Sequence, residues 1–202
     1  RVMTPIFDLR GNIIAFGGRV LDDSKPKYVN SPETLVYHKS DTVFALQIAK
    51  RSASRRFVLC EGYMDVIALH QAGFDSAVAS LGTSLTEEQA RIIARHTDRI
   101  VISYDADGAG QAAAQRAIDI LKKCDLQVKV LRIPGAKDPD EFIKALGGEE
   151  FQKRLDHAEN SFMFEIRILE QQYDMKDPES KSAFYHEVAK KLCSFTEKIE
   201  RD

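Results

Sequence analysis

The sequence predicts an α/β protein built on a four-stranded parallel sheet flanked by helices, with a strand-rich α+β segment before it and a helical bundle after it. Three observations carry this reading. Between residues 55 and 148, continuous apolar runs alternate with helical patterns, as they do in strands buried on both faces and covered by helices. Residues 1–50 hold apolar runs split by a turn signal. From residue 149 on, apolar residues recur at helical spacing only.

The elements follow in order. VMTPIF and NIIAFGGRVL flank Asp8-Leu9-Arg10-Gly11-Asn12, which predicts a hairpin. DDSKPKYVNSPET, with two prolines, predicts a polar loop, and residues 41–52 a short helix. RRFVLCEG is a strand, and MDVIALHQAG a helix closed by Gly73. DSAVAS is a strand, and Thr86 with Gln89 forms a capping box for a helix through His96. DRIVISY is a strand, Gly110 to Cys124 an Ala-rich helix, and LQVKVLRI a fourth strand ended by Pro134-Gly135. FQKRLDHA, SFMFEIRILEQQY and the run from Ser180 to Ile199 read as helices, the last two broken apart at Asp177-Pro178. The expected domains are 1–54, 55–148 and 149–202.

Composition bounds the function class. With 202 residues, 44% hydrophobic and 30% charged, the chain can bury a real core. No apolar run is long enough to span a membrane, and there is neither a signal-peptide pattern nor an initiator Met. The chain opens on Arg1 already reading as a strand, so it is expected to be a piece of a longer protein. Cys60, Cys124 and Cys193 form no C-x-x-C pair, which argues against zinc and disulfides and for a cytoplasmic protein with reduced cysteines. The net charge of -2 divides unevenly: residues 1–56 carry +5 and the remainder -7. That division suggests a polyanion-binding front and a cation-binding back.

In an open parallel sheet, ligands bind beyond the carboxyl ends of the strands. Three strand ends deliver acids there: Glu61 with Asp65, Asp105 with Asp107, and Asp138 with Asp140. Asp105 and Asp107 are two apart, so an extended backbone points both the same way. Like charges so close raise a pKa sharply unless something positive lies between them. Oxygen ligands with no His or Cys nearby favour Mg²⁺ or Mn²⁺ over Zn²⁺. So many acids exceed the needs of one Mg²⁺, and two-metal sites serve phosphoryl transfer. The bland alternative makes each acid a solvated loop residue or a helix cap, Asp107 capping the helix near Gly110. It has to account for all three strand ends at once. Gly17-Gly18 reads as a bulge or close-approach point, and Gly108 and Gly110 as permitting the strand-to-helix turn. The five histidines show no ligand spacing, and Phe162, Phe164 and Tyr173 read as core. Taken alone, Lys27 and Lys39 read as solvated lysines.

EGYMD, ASLGTSLT, YDADGAG and the Asp-Pro-Asp together resemble a Toprim domain. RVMTPIFD, GGRVL, PKYVNSPET and HK resemble the segment that precedes Toprim in bacterial DnaG-type DNA primases. The likeness is close over residues 1–148 and loose in the helical tail. Thr4 departs from it, standing where the family usually has a bulky apolar residue.

The resemblance implies an RNA polymerase core fragment that makes RNA primers from ribonucleoside triphosphates on single-stranded DNA during replication. It implies that Glu61, Asp105 and Asp107 are catalytic and bind two Mg²⁺ ions, with Mn²⁺ able to substitute. Asp65, Asp138 and Asp140 then complete the acidic patch, and Arg19, Lys27, Asn30 and Lys39 contact nucleotide and template, in keeping with the +5 front. It also implies a cytoplasmic monomer without zinc in this fragment, and a replicative helicase met through a C-terminal domain that is not part of this sequence. One rival is another Toprim enzyme, a topoisomerase or nuclease, against which PKYVNSPET speaks. The other is a non-catalytic metal-binding α/β regulatory module, which predicts one metal at most and no affinity for single-stranded DNA.

Overall fold

The computed structural model describes residues 1–82 and 84–193. Strands β1 (Val2–Phe7) and β2 (Ile13–Arg19) form the expected antiparallel hairpin, with Ile6 opposite Ala15 and both buried. Its turn is closed by the Asp8 carboxylate, which accepts from the Arg10 and Asn12 amides at 2.8 and 2.9 Å and from the Asn12 side chain at 2.8 Å.

The stretch expected to be a loop contains a third strand, β3 (Tyr28–Asn30), antiparallel to β2. Gly17 faces Asn30 and Gly18 faces Val29. A Cβ on Gly17 would lie 3.1 Å from both Asn30 Oδ1 and the Tyr63 ring. Gly17 is therefore the close-approach point towards β3, while the bare face of Gly18 takes the Met3 side chain of β1. Three residues between two prolines are too short to show a strand period.

Helix α1 (Leu46–Ala49), inside the expected 41–52, is a single turn. The parallel sheet then follows: β4 (Arg56–Cys60), α2 (Tyr63–Gln71), β5 (Ala77–Ala79), α3 (Glu87–Ala94), β6 (Arg99–Ser103), α4 (Gly108–Lys122) and β7 (Gln127–Val130). The strand order is β5-β4-β6-β7, all parallel, and the two-residue β8 (Glu159–Asn160) adds a fifth strand to the expected four. The predicted capping box is present: Thr86 Oγ1 accepts from the Gln89 amide and Gln89 Oε1 from the Thr86 amide.

The register positions the site. Cys60 pairs with Ala79 on one side and with Ser103 on the other, so Glu61, Ser80 and Tyr104 leave the sheet at one level. Phe57, Leu59, Ile100 and Ile102 are fully buried beneath that edge, each contributing on the order of 2 kcal/mol.

Helix α5 (Pro139–Asp156) is broken at Gly147, whose φ is +79°. Phe142 and Phe151 sit on either side of that break and are fully buried, with ring centroids 6.0 Å apart. The expected boundary at 148/149 lies just past the break, whereas the compact division of the chain falls after Glu159. The second unit holds α6 (Ser161–Glu170) and α7 (Pro178–Cys193). Phe164 and Phe184 are buried there, and Tyr173 packs on Phe184. The end of the run predicted to reach Ile199 lies outside the described residues. Among those described, no helix is long and apolar enough to cross a membrane.

Candidate active site at the carboxyl edge of the sheet

A cavity of ≈ 370 Å³ opens at this edge, between the parallel sheet and the β1–β3 ribbon. Glu61, Asp65, Asp105, Asp138 and Asp140 line it, together with Arg19, Lys27 and Asn30 from the ribbon. Eight of the ten residues singled out in the sequence thus meet around one space.

Each acid is placed by the start of an element. Glu61 follows β4 directly, and the extended Gly62 turns the chain into α2. Asp65 sits in the first turn of α2, only 8% exposed, and accepts from the Gly62 amide. Asp105 lies two residues past β6. Asp138 caps α5 by accepting from the Glu141 amide at 2.8 Å, and Asp140, in the first turn, pairs with Lys144 at 2.6 Å. The β6 and β7 loops are joined by the Ala106 amide donating to the Lys137 carbonyl at 3.1 Å.

The structure treats Asp107 and Lys39 differently, since neither lines the cavity. Asp107 caps α4, its Oδ1 accepting from the Gly110 amide at 2.8 Å. The capping reading therefore describes Asp107 as folded, although its charge still bears on Glu61 and Asp105. The Lys39 amide donates to Glu33 at 3.3 Å, and its carbonyl accepts from Gln89 at 2.8 Å.

Sequence reasoning missed Tyr28, Tyr63, Met64, Ser80, Gly82 and Lys137 as cavity residues. Tyr28 lies under the Arg19 guanidinium at 5.5 Å and stands edge-on to Tyr63 at 5.7 Å. Its position between Lys27 and Asn30 was the available signal for it, and the step next to Asp138 was the signal for Lys137.

Electrostatics set the chemistry. Burial, then the Asp105 charge, pushes the Glu61 carboxyl up to about 7. Burial, then Asp138 and Asp105, pushes Asp65 up to about 7 as well. Asp105 is raised by burial first and by Asp138 next. The negative charge of Asp105 disfavours ionisation of Glu61, as like charges do at short range. Among the described residues, no group of three or more His, Cys, Asp or Glu is arranged to hold a metal ion as it stands. The donor set nonetheless fits a hard divalent cation. Its ligands are all oxygens, and a cation would relieve the repulsion that pushes Glu61 and Asp65 up.

Residues 1–50 match the DNA primase catalytic core, N-terminal domain, and residues 58–143 match the Toprim-like family. The first match is to primases and not to Toprim enzymes at large. A DNA primase from Clostridium acetobutylicum is 42% identical over all of this chain, which spans 34% of that protein's length. A solved DnaG primase catalytic domain bound to single-stranded DNA superposes with a TM-score of 0.84 at 35% identity, covering 100% of this chain and 66% of that one. The RNA polymerase domain of Mycobacterium tuberculosis primase DnaG gives 0.81 at 30% identity, covering 99% of this chain and 67% of that one.

Proposed function

Because this chain belongs to the DnaG-type DNA primase family, we propose that it carries the nucleotidyl-transfer centre of a cytoplasmic enzyme that makes RNA primers on single-stranded DNA. The observation that carries this reading is the single cavity in which five strand-end carboxylates face Arg19 and Lys27. A polymerase needs an acidic wall for divalent cations and a basic wall for a triphosphate, and the cavity offers both.

Glu61, Asp105 and Asp107 would hold two Mg²⁺ ions, or Mn²⁺ in their place, with Asp65, Asp138 and Asp140 completing the negative field. When bound, such cations favour the ionised form of an attacking hydroxyl and offset charge on the transferred phosphate. The chain's own residues do the rest. Glu61, held up by burial and by the Asp105 charge, would be drawn into its ionised form on loading. Asp107 has Oδ2 outside its helix cap to offer. Arg19 and Lys27 bind phosphate oxygens, and Tyr28, fixed between Arg19 and Tyr63, walls the nucleotide. Asn30 reaches from the ribbon to the Leu81 carbonyl at 3.5 Å and spans the two walls. Lys39, outside the cavity, belongs on the template path. Phosphate contacts of this kind make DNA affinity fall with salt. The helicase contact would lie outside these 202 residues.

The test is Mn²⁺ calorimetry on the 202-residue chain, wild type beside Asp105→Ala/Asp107→Ala. We expect binding in the wild type and none in the double variant. No binding in the wild type, even with a ribonucleoside triphosphate present, would sink the metal centre.

A further inference from the structure

Three cavity residues are cationic: Arg19 and Lys27 on the ribbon, and Lys137 on the sheet side. Lys137 stands apart from its surroundings. It lines the same space as Glu61, Asp65, Asp105, Asp138 and Asp140, yet its ammonium makes no ion pair among the described residues. Seven residues further on, Lys144 does pair with Asp140 at 2.6 Å, so a lysine at this edge can reach an acid.

The backbone of Lys137 is fixed on both sides. Its amide donates to Glu141 Oε2 at 2.6 Å, and its carbonyl accepts from the Ala106 amide at 3.1 Å. The side chain therefore hangs from a rigid point between the end of β6 and the start of α5. It is exposed, and it lines a cavity that five carboxylates share.

The geometry points to a double role: Lys137 is the resident counter-charge of the acidic wall, and it becomes the third phosphate contact of the cavity once a triphosphate enters. The second half rests on the triphosphate reading above. An ammonium and a divalent cation draw on the same carboxylate field, so the lysine opposes metal loading when nothing else is bound. A triphosphate brought in with the metal supplies the negative partner that the ammonium lacks, and the lysine then favours binding.

Lys137→Met removes the charge from an exposed position, and Lys137→Arg keeps it; circular dichroism checks the fold of both. By calorimetry with Mn²⁺ alone, Lys137→Met should bind about threefold tighter than wild type, while Lys137→Arg stays within about twofold. With ATP titrated at saturating Mn²⁺, Lys137→Met should bind about fivefold weaker and Lys137→Arg close to wild type. This crossing of signs is not expected of a merely structural residue. Unchanged or weaker Mn²⁺ affinity in Lys137→Met overturns the counter-charge, and unchanged ATP affinity overturns the phosphate contact. If wild type binds Mn²⁺ but no ATP, the triphosphate reading and the phosphate contact fall together. The Mn²⁺ result still decides the counter-charge.

Discussion

At the amino edge of the parallel sheet, Arg56 donates to the Leu155 carbonyl at 3.2 Å and to Asp156 Oδ1 at 3.0 Å. At the carboxyl edge of the same strand, Glu61 faces Asp105, and Asp65 faces Asp138 and Asp105. At one edge Arg56 meets a charge of opposite sign, while at the other Glu61, Asp65 and Asp105 meet charges of their own sign. The bond from Arg56 holds Asp156 below the usual carboxylate range. Burial and repulsion push Asp65 up to about 7. The two edges therefore respond oppositely to pH. Asp156 has a folded pKa below its unfolded one, so its contribution is present above the unfolded value and lost as pH falls. Asp65 has a folded pKa above its unfolded one, so its contribution is complete below the unfolded value and lost as pH rises through about 7. The amino edge is arranged for stability; the carboxyl edge forgoes some of it at neutral pH and above by holding its carboxylates together.

If charge pairing does not hold the carboxyl edge together, sterics must, and Gly110 tests that. A Cβ there would sit 2.2 Å from the Asp105 carbonyl oxygen and 2.9 Å from its carbon. The turn from β6 into α4 closes only because that atom is missing. Gly110→Ala should cost about 3 kcal/mol or more in urea unfolding; an unchanged midpoint would show the turn to be loose. Asp65→Asn has the next largest effect and the opposite sign. The amide keeps an acceptor for the Gly62 amide and loses the repulsion. At pH 8 it should stabilise the metal-free chain by about 2 kcal/mol, discounted for relaxation and partial exposure. The gain should shrink as pH is lowered towards 5. Mn²⁺ should stabilise wild type at pH 8 far more than the variant.

What the sequence revealed of this contrast depends on range. Strands β4 and β6 were legible because Phe57–Cys60 and Ile100–Ser103 are buried on both faces, which forces continuous apolar runs. The Thr86–Gln89 box was legible because capping is local. Strand β3 was not, since what defines it is the bare backbone of Gly17-Gly18 across the ribbon. The acids were legible as a set through their strand ends, and for Asp107 the sequence offered two roles, ligand and helix cap, without choosing between them. Asp-x-Asp on an extended chain suggests two parallel carboxylates. Four orphan amides at the start of a helix compete for the second one, and a cap is worth about 1 kcal/mol. Lys137 was passed over because a lysine beside an acid in a loop reads as solvated. Only the convergence of the β6 and β7 loops turns it towards the cavity.

The smallest effect sharpens the contrast most, because it asks whether the two edges are independent. Arg56→Ala removes one charge-assisted bond to the Leu155 carbonyl, worth about 1 kcal/mol, and leaves Asp156 in water, where it needs no partner. Arginine stays charged, and Asp156 is ionised throughout the range from about pH 5 to 8. The loss measured by urea unfolding should therefore be flat across the window in which the effect of Asp65→Asn grows. The double variant Arg56→Ala/Asp65→Asn should show the sum of the two single effects to within about 0.5 kcal/mol, since the residues share no partner. A pH slope in the Arg56→Ala loss, or a departure from additivity, would mean that strain at the acidic edge is transmitted along β4 to the far end of the sheet. The carboxyl edge could not then be treated as a site mounted on an indifferent scaffold.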